Sequence, residues 1–270
     1  MSGRLNLTDE AAMCDSLRAE RDTDRPYGVY LVRPGDERGD LGRMVEQEVF
    51  LEFFGNTPTL LEAEYRPYDP ASQFLLLVDH DEQRAAGAMR IIQGAQSSGL
   101  KSIRDATLPD TWNLSLAELR AEHPLLDETR EQLWDLATLG IRSNYRGPAT
   151  GYLCSTALYH GLYWWSLIDR IEAWIAVLDE NVLQALFLVN APFKRVLDRP
   201  PLTYLGSPES SLVYLITAEI RAALRAGGDN WIEGPVLRGE GLHDLVSFPD
   251  IVLTAVQDAS RTDSEATSGP

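Results

Sequence analysis

Cysteine is nearly absent: Cys14 and Cys154 are the only two, too few for a disulfide framework and not spaced as metal ligands are. Histidine is almost as scarce. His80, His123, His160 and His243 lie far apart, so no Cys/His cluster points to zinc or iron, and no metal is expected. The chain also lacks any run approaching the roughly 18 apolar residues of a membrane span, and Met1 to Asp9 carry no basic region followed by an apolar stretch. It reads as cytoplasmic. Cationic charge is short as well: 24 Lys and Arg stand against 41 Asp and Glu, a net charge of −17. That field repels polyanions, and no Lys/Arg stripe with interleaved aromatics offsets it, which argues against a nucleic-acid partner.

What the chain does have is apolar content, 44% over 270 residues, enough for a substantial core. Residues 1–26 are charged and weakly patterned, and read as a peripheral arm with a short helix near Glu10 to Glu20. From 27 to 257 the pattern is that of a single α/β domain. Tyr27 to Arg33 alternates as a strand does, Leu41 to Phe54 has helical spacing stopped by Gly55, and residues 73–79 and 85–92 form a hairpin around a polar turn. A strand over 131–141, a long apolar helix from about Ala149 to Leu167, a strand over 171–178 and a helix from Glu180 follow. A short extended segment over 202–205, a last strand over 211–216 and a helix over 217–226 close the order, and 258–270 reads as a disordered tail. This order fits one mixed α/β sheet with helices on both faces.

The most chemical segment is Arg142-Ser143-Asn144-Tyr145-Arg146-Gly147-Pro148-Ala149-Thr150-Gly151, between a strand and a helix. Free N–H groups and the positive end of the helix converge there, as a phosphate cradle needs. Gly147 permits close approach, and Arg142 or Arg146 can add charge-assisted hydrogen bonds. An ordinary strand-to-helix turn has the same pattern.

Tyr145 to Gly151 resembles the pyrophosphate loop of the GNAT superfamily of acyltransferases. The resemblance implies a GNAT-like, mostly antiparallel sheet whose central strands splay beside the loop. It also implies an acyl thioester co-substrate, coenzyme A or acyl carrier protein, held by Ile141, Arg142, Asn144, Arg146, Gly147, Ala149, Thr150 and Gly151. Asn144 stands where the family commonly has Gln or Arg. The helix from Glu180 resembles the family's Asn-led helix, but Pro192 replaces a glycine and Leu188 falls where many members have the Tyr that protonates the leaving thiolate.

Over about residues 30–200 the chain is similar to the acyl-homoserine-lactone synthases and the related N-acyl amino acid synthases. Tyr68-Asp69, Gly87-Ala88-Met89-Arg90 and Trp134-Asp135-Leu136-Ala137-Thr138 carry that likeness, and Leu139 replaces the arginine of the lactone synthases. Arg90 with Asp69 is then either a clamp for a substrate carboxylate or a structural ion pair with Asp69 or Glu64. Asp135 is the candidate general base for the acceptor amine, and Glu172 its competitor. Trp165 and Trp174, with Phe53 and Phe54, either pack as core or wall an acyl tunnel.

The expected function is an N-acyltransferase passing an acyl group, a fatty acyl chain, to an amino-acid-like or small amine, with acyl carrier protein as a candidate partner docking near Arg142, Arg146, Lys194, Arg195 and Arg199. The alternative is a catalytically silent protein of the same fold that binds thioesters or a protein partner.

Overall fold

The computed structural model describes residues 7–227 and 231–256. Its elements are α1 (Leu7–Arg21), β1 (Tyr27–Val32), α2 (Gly39–Phe54), α3 (Pro58–Tyr65), β2 (Ser72–Asp79), β3 (Arg84–Ile92), α4 (Lys101–Ala106), α5 (Leu116–Glu122), β4 (Leu133–Ile141), α6 (Pro148–Ile168), β5 (Ala173–Asp179), α7 (Glu180–Leu188), β6 (Lys194–Arg195), β7 (Leu202–Tyr204), β8 (Ser207–Ile216), α8 (Thr217–Ala226) and β9 (Val246–Ser247). The strands form one nine-stranded sheet ordered β6-β8-β5-β4-β3-β2-β1-β9, with β7 also on β8. Only β1 with β9 and β4 with β5 run parallel, so the sheet is mixed and mostly antiparallel, as expected.

Three apolar clusters cover its two faces. On one, α6, α7 and the segment 232–256 pack on alternate residues of β1 to β5 around Trp134, Trp174, Leu158 and Leu183. On the other, α2 covers the β1–β3 half through Leu41, Val45 and Val49, and α4 and α5 cover the β4–β5–β8 half through Ile103 and Leu119. The strands of the centre alternate their side chains between these layers, which buries β2 along its whole length. At Gly42 an added Cβ would meet the Phe74 ring at 2.2 Å, so glycine there lets α2 lie close on β2.

Most sequence expectations hold: β1, the β2–β3 hairpin, β4, α6, β5, α7 and α8 stand where the patterns put them, and Gly55 ends α2 in the left-handed conformation. Ser115 with Glu118 caps α5 in a reciprocal capping box. Within the stretch expected as a peripheral arm, α1 buries Cys14 and Leu17, and its Glu10 carboxylate accepts from the Ala85 N–H at 3.2 Å. The tail expected from 258 lies outside the described residues. Among the described residues no helix is long and apolar enough to cross a membrane.

Candidate active site

The site begins with a fork in the sheet. β4 and β5 pair over only Leu133–Ala173, Trp134–Trp174 and Asp135–Ile175, although each strand continues beyond. Past that vertex β4 stays with β3 and β5 stays with β8, so the two diverge toward their C-terminal ends. A bulge adds to the divergence: Arg90 and Ile91 of β3 face Thr138 and Leu136, leaving Ala137 as the extra residue. The Arg142 N–H bonds the Ala86 carbonyl of β3 at 3.0 Å. Antiparallel alternation therefore sends the backbone groups of Leu139 and Ile141 the other way, into the fork.

A cavity opens on each side of the fork. The first, about 90 Å³, lies against α6, α7 and α8 and is walled by Trp174, Tyr159, Phe193 and aliphatic side chains. The second, about 80 Å³, lies against α2 and β7 and combines Phe50, Phe54, Tyr65 and Tyr204 with Thr138, Asp179, Ser207 and Ser210. Leu136, Leu139 and Leu178 line both, so the fork is the partition between an apolar chamber and a mixed one. A third, polar cleft of about 790 Å³ runs between α2 and α3.

The loop after β4 closes the open end of the fork. Its helix α6 starts at Pro148 with Gly147 as cap residue and no side-chain cap. In this first turn the amides of Gly147, Ala149 and Thr150 have no intrahelical acceptor, while Gly151 N–H reaches Gly147 O at 2.6 Å. A Cβ on Gly147 would meet nothing within 4 Å, whereas one on Gly151 would lie 3.1 Å from the Arg146 backbone. Gly147 is thus open toward an incoming ligand, and Gly151 serves the close packing of loop on helix. Asn144 is exposed on the same loop.

The two arginines behave differently from expectation. The Arg142 guanidinium is buried, held by Glu10 at 2.5 Å, Glu48 at 2.9 Å and the Ala85 carbonyl at 3.0 Å. It fastens α1 and α2 to the end of β4 and does not face the cradle. Arg146 donates to the Ile141 carbonyl at 2.6 Å, pairs with Glu52 at 3.1 Å and lies 4.3 Å over the Phe53 ring. The donors left free at this turn are backbone amides, while both guanidinium groups are engaged by carboxylates.

Arg90 lines the polar cleft and is ion-paired with Asp69 and with Glu46 rather than Glu64. Glu46 of α2 holds it in two hydrogen bonds of 2.8 and 2.7 Å, and Asp69 accepts a third at 2.9 Å. Burial opposes its charge, but the two carboxylates more than offset that and raise its pKa. Glu64 instead meets Lys101 at 2.8 Å, in a cluster with Asp105 and the Tyr204 hydroxyl.

Neither expected base reaches a chamber. Asp135 is fully buried at the vertex of the fork, and its two oxygens accept from the Ser102 amide at 2.7 Å and the Ser102 hydroxyl at 2.8 Å. It lines none of the three cavities, and desolvation pushes its carboxyl up to about 6 against those hydrogen bonds. Glu172 is exposed, paired with Arg130 at 2.6 Å and adjacent to Ala173 at the closed end of the fork. Trp174 does wall the apolar chamber, its indole N–H reaching Ser166 at 3.1 Å; Trp165 is core beside it and lines neither chamber. Phe54 lines the mixed chamber, but Phe53 is 58% exposed. Leu188 is 84% exposed and turned away from both chambers.

Two residues escaped the sequence reading. Asp179 ends β5 at the open side of the fork, caps α7 through Asn181 N–H at 2.9 Å and lines the mixed chamber. Its signal was present in Asp179-Glu180-Asn181 before an apolar run, which is a helix-cap pattern. Glu46 sits on the buried stripe of α2 with Val45 and Val49, and an acid on an apolar stripe demands a partner. Among the described residues no three His, Cys, Asp or Glu side chains converge as metal ligands would.

No protein-family model matches the chain, and no curated protein sequence does. Solved structures do match. The acyl-homoserine-lactone synthase LasI superposes with a TM-score of 0.50 at 16% identity, covering 75% of this chain and 96% of its own. FeeM, an N-acyl amino acid synthase from uncultured soil microbes, superposes with a TM-score of 0.52 at 12% identity, covering 75% of this chain and 97% of its own. At such identities the likeness is one of architecture: the chain has the GNAT-like fold shared by the acyl-homoserine-lactone synthases and the N-acyl amino acid synthases.

Proposed function

We propose that the protein is an N-acyltransferase that moves an acyl group from a thioester, coenzyme A or acyl carrier protein, to an amino-acid-like or small amine. The observation that carries the reading is the fork itself. Its edge presents the Leu139 and Ile141 backbone to an extended pantetheine arm, and the α6 amides stand at its mouth for the pyrophosphate. The apolar chamber receives the acyl chain, and the thioester carbonyl then lies at the partition, open to an amine from the mixed chamber. Proximity of that kind is a large part of what acyl transfer between two small molecules needs.

Asp135 in this reading is a positioning residue that ties α4 to the vertex of the fork. The exposed Leu188 favours a second reading, a protein that binds thioesters without turning them over. Purified protein is offered acyl-coenzyme A and acyl-carrier-protein donors of several chain lengths with a pool of amines, and free thiol is measured. Amine-dependent thiol release is the expected result. Thermal stabilisation by a thioester without release supports the silent reading, and neither stabilisation nor release with any donor defeats both.

A further inference from the structure

Among the described residues the mixed chamber contains one charged side chain, and its sign is negative. Asp179 is the sole ionic residue among those lining it; aromatic rings, aliphatic groups and hydroxyls make the rest. The nearby cations are engaged elsewhere. Lys101 lies behind Tyr204, between Glu64 at 2.8 Å and Asp105 at 2.6 Å. Arg90 opens on the polar cleft, clasped by Glu46 and Asp69, and Arg195 is turned to Glu180 at 2.7 Å.

Asp179 is also incompletely satisfied. One oxygen accepts from the Asn181 amide at 2.9 Å and the Asn181 side chain at 3.1 Å; the other accepts from Ser207 at 2.7 Å. An ionised carboxylate offers about four acceptor positions, so one remains on the oxygen facing Ser207. Ser210 donates to Ser207 at 2.9 Å, and Ser207, with one proton to give, has the Asp179 carboxylate at 2.7 Å and the Glu209 carbonyl at 3.2 Å as acceptors, so each hydroxyl keeps a lone pair. An ammonium group, with three N–H donors and no acceptor, complements that arrangement.

An α-carboxylate fits it badly. Placed beside the amine, it would come next to Asp179 with no cation to meet it, and burying an uncompensated charge is expensive. We infer that the acceptor is a primary amine with an apolar or aromatic body and no carboxylate, its nitrogen held by Asp179 in the chamber between α2, β7 and the fork. This inference rests on the acyltransferase reading and narrows its acceptor. The ammonium gives one proton to the Asp179 carboxylate, and the free amine attacks the thioester carbonyl carbon. The C–N bond forms, the C–S bond breaks, and the nitrogen's second proton leaves with the thiolate as free thiol. The products are one amide, one thiol and one proton, which Asp179 releases to solvent, with no oxidant or further co-reactant.

The test uses matched pairs on the unmodified protein: phenethylamine against phenylalanine and isopentylamine against leucine, each with a thioester donor, following both thiol and amide. The amines are expected to be acylated with kcat/KM roughly a hundredfold above the amino acids. Asp179→Asn keeps an oxygen to cap α7 and removes the charge. It is expected to raise the amine KM at least about tenfold while donor affinity, read by thermal stabilisation, stays unchanged. Amino acids acylated as well as their amines, or an unaltered amine KM in Asp179→Asn of native melting temperature, overturn the inference and leave acyl transfer standing. Absence of both donor binding and thiol release overturns the acyltransferase reading and this inference with it.

Discussion

At Asp135 burial and hydrogen bonding pull one carboxyl in opposite directions. Its carboxyl is driven up to about 6 by desolvation, with the two Ser102 hydrogen bonds acting in the opposite direction. An aspartate in the unfolded chain titrates near 3.8, so between about pH 4 and pH 6 the folded state holds the extra proton. Stability then falls as pH rises through this window, because the native state binds more protons than the unfolded one. The contribution is present in full below the unfolded value and lost above about 6, and amounts to about 3 kcal/mol. Urea unfolding of the wild type and Asp135→Asn at the two ends of the window checks this. The wild type is expected to lose about 2 to 3 kcal/mol relative to the variant on going from the acid end to neutrality. A difference independent of pH would show that Asp135 titrates alike in the folded and unfolded chain.

At the scale of elements, the turn from β4 into α6 separates two glycines that look equivalent in sequence. Gly147→Ala adds a methyl into open space, so unfolding free energy should stay within about 0.5 kcal/mol. The same methyl stands where a donor phosphate approaches, and donor affinity should fall. Gly151→Ala presses on the Arg146 backbone from inside the first helical turn and should cost about 1 kcal/mol of stability. Thermal melts with and without acyl-coenzyme A distinguish the two, and equal effects on affinity and stability at both positions would contradict the assignment. Elements with a strong period were legible in the sequence: the hairpin, β5 and α6 follow from apolar runs and their stops. Short pieces such as α3, α4 and β6 were not, since helices of eight and six residues and a two-residue strand form through tertiary contacts rather than their own pattern. The loop was legible as backbone, but not its arginines. The partners of Arg142 lie 132 and 94 positions away in sequence, at Glu10 and Glu48, and nothing local announces them. Asp179 stands just ahead of the helix expected from Glu180, and only the fold shows that β7, β8 and α2 close a chamber around it.

Charge acts over the whole molecule. The five cations expected to form a docking patch each meet a carboxylate: Arg142 with Glu10 and Glu48, Arg146 with Glu52, Lys194 with Glu219, Arg195 with Glu180 and Arg199 with Glu118. Each is therefore already engaged by an acid, in a chain whose net charge is −17. An acidic carrier protein, with many negative charges spread over a docking helix, feels that field over a wide face; coenzyme A presents fewer charges, and the α6 amides can meet its pyrophosphate directly. Coenzyme A thioesters should therefore outcompete carrier-protein thioesters of the same acyl chain. Even so, an anionic donor approaches an anionic protein, and screening should help it. Raising ionic strength from about 0.01 M to about 0.15 M shortens the Debye length from about 30 Å to about 8 Å. Across that range kcat/KM for acyl-coenzyme A should rise, and more steeply still for the carrier-protein donor. A decline with salt would mean that the mouth of the fork is locally positive, with cations steering the donor in, and that the ion pairs leave the patch intact in solution.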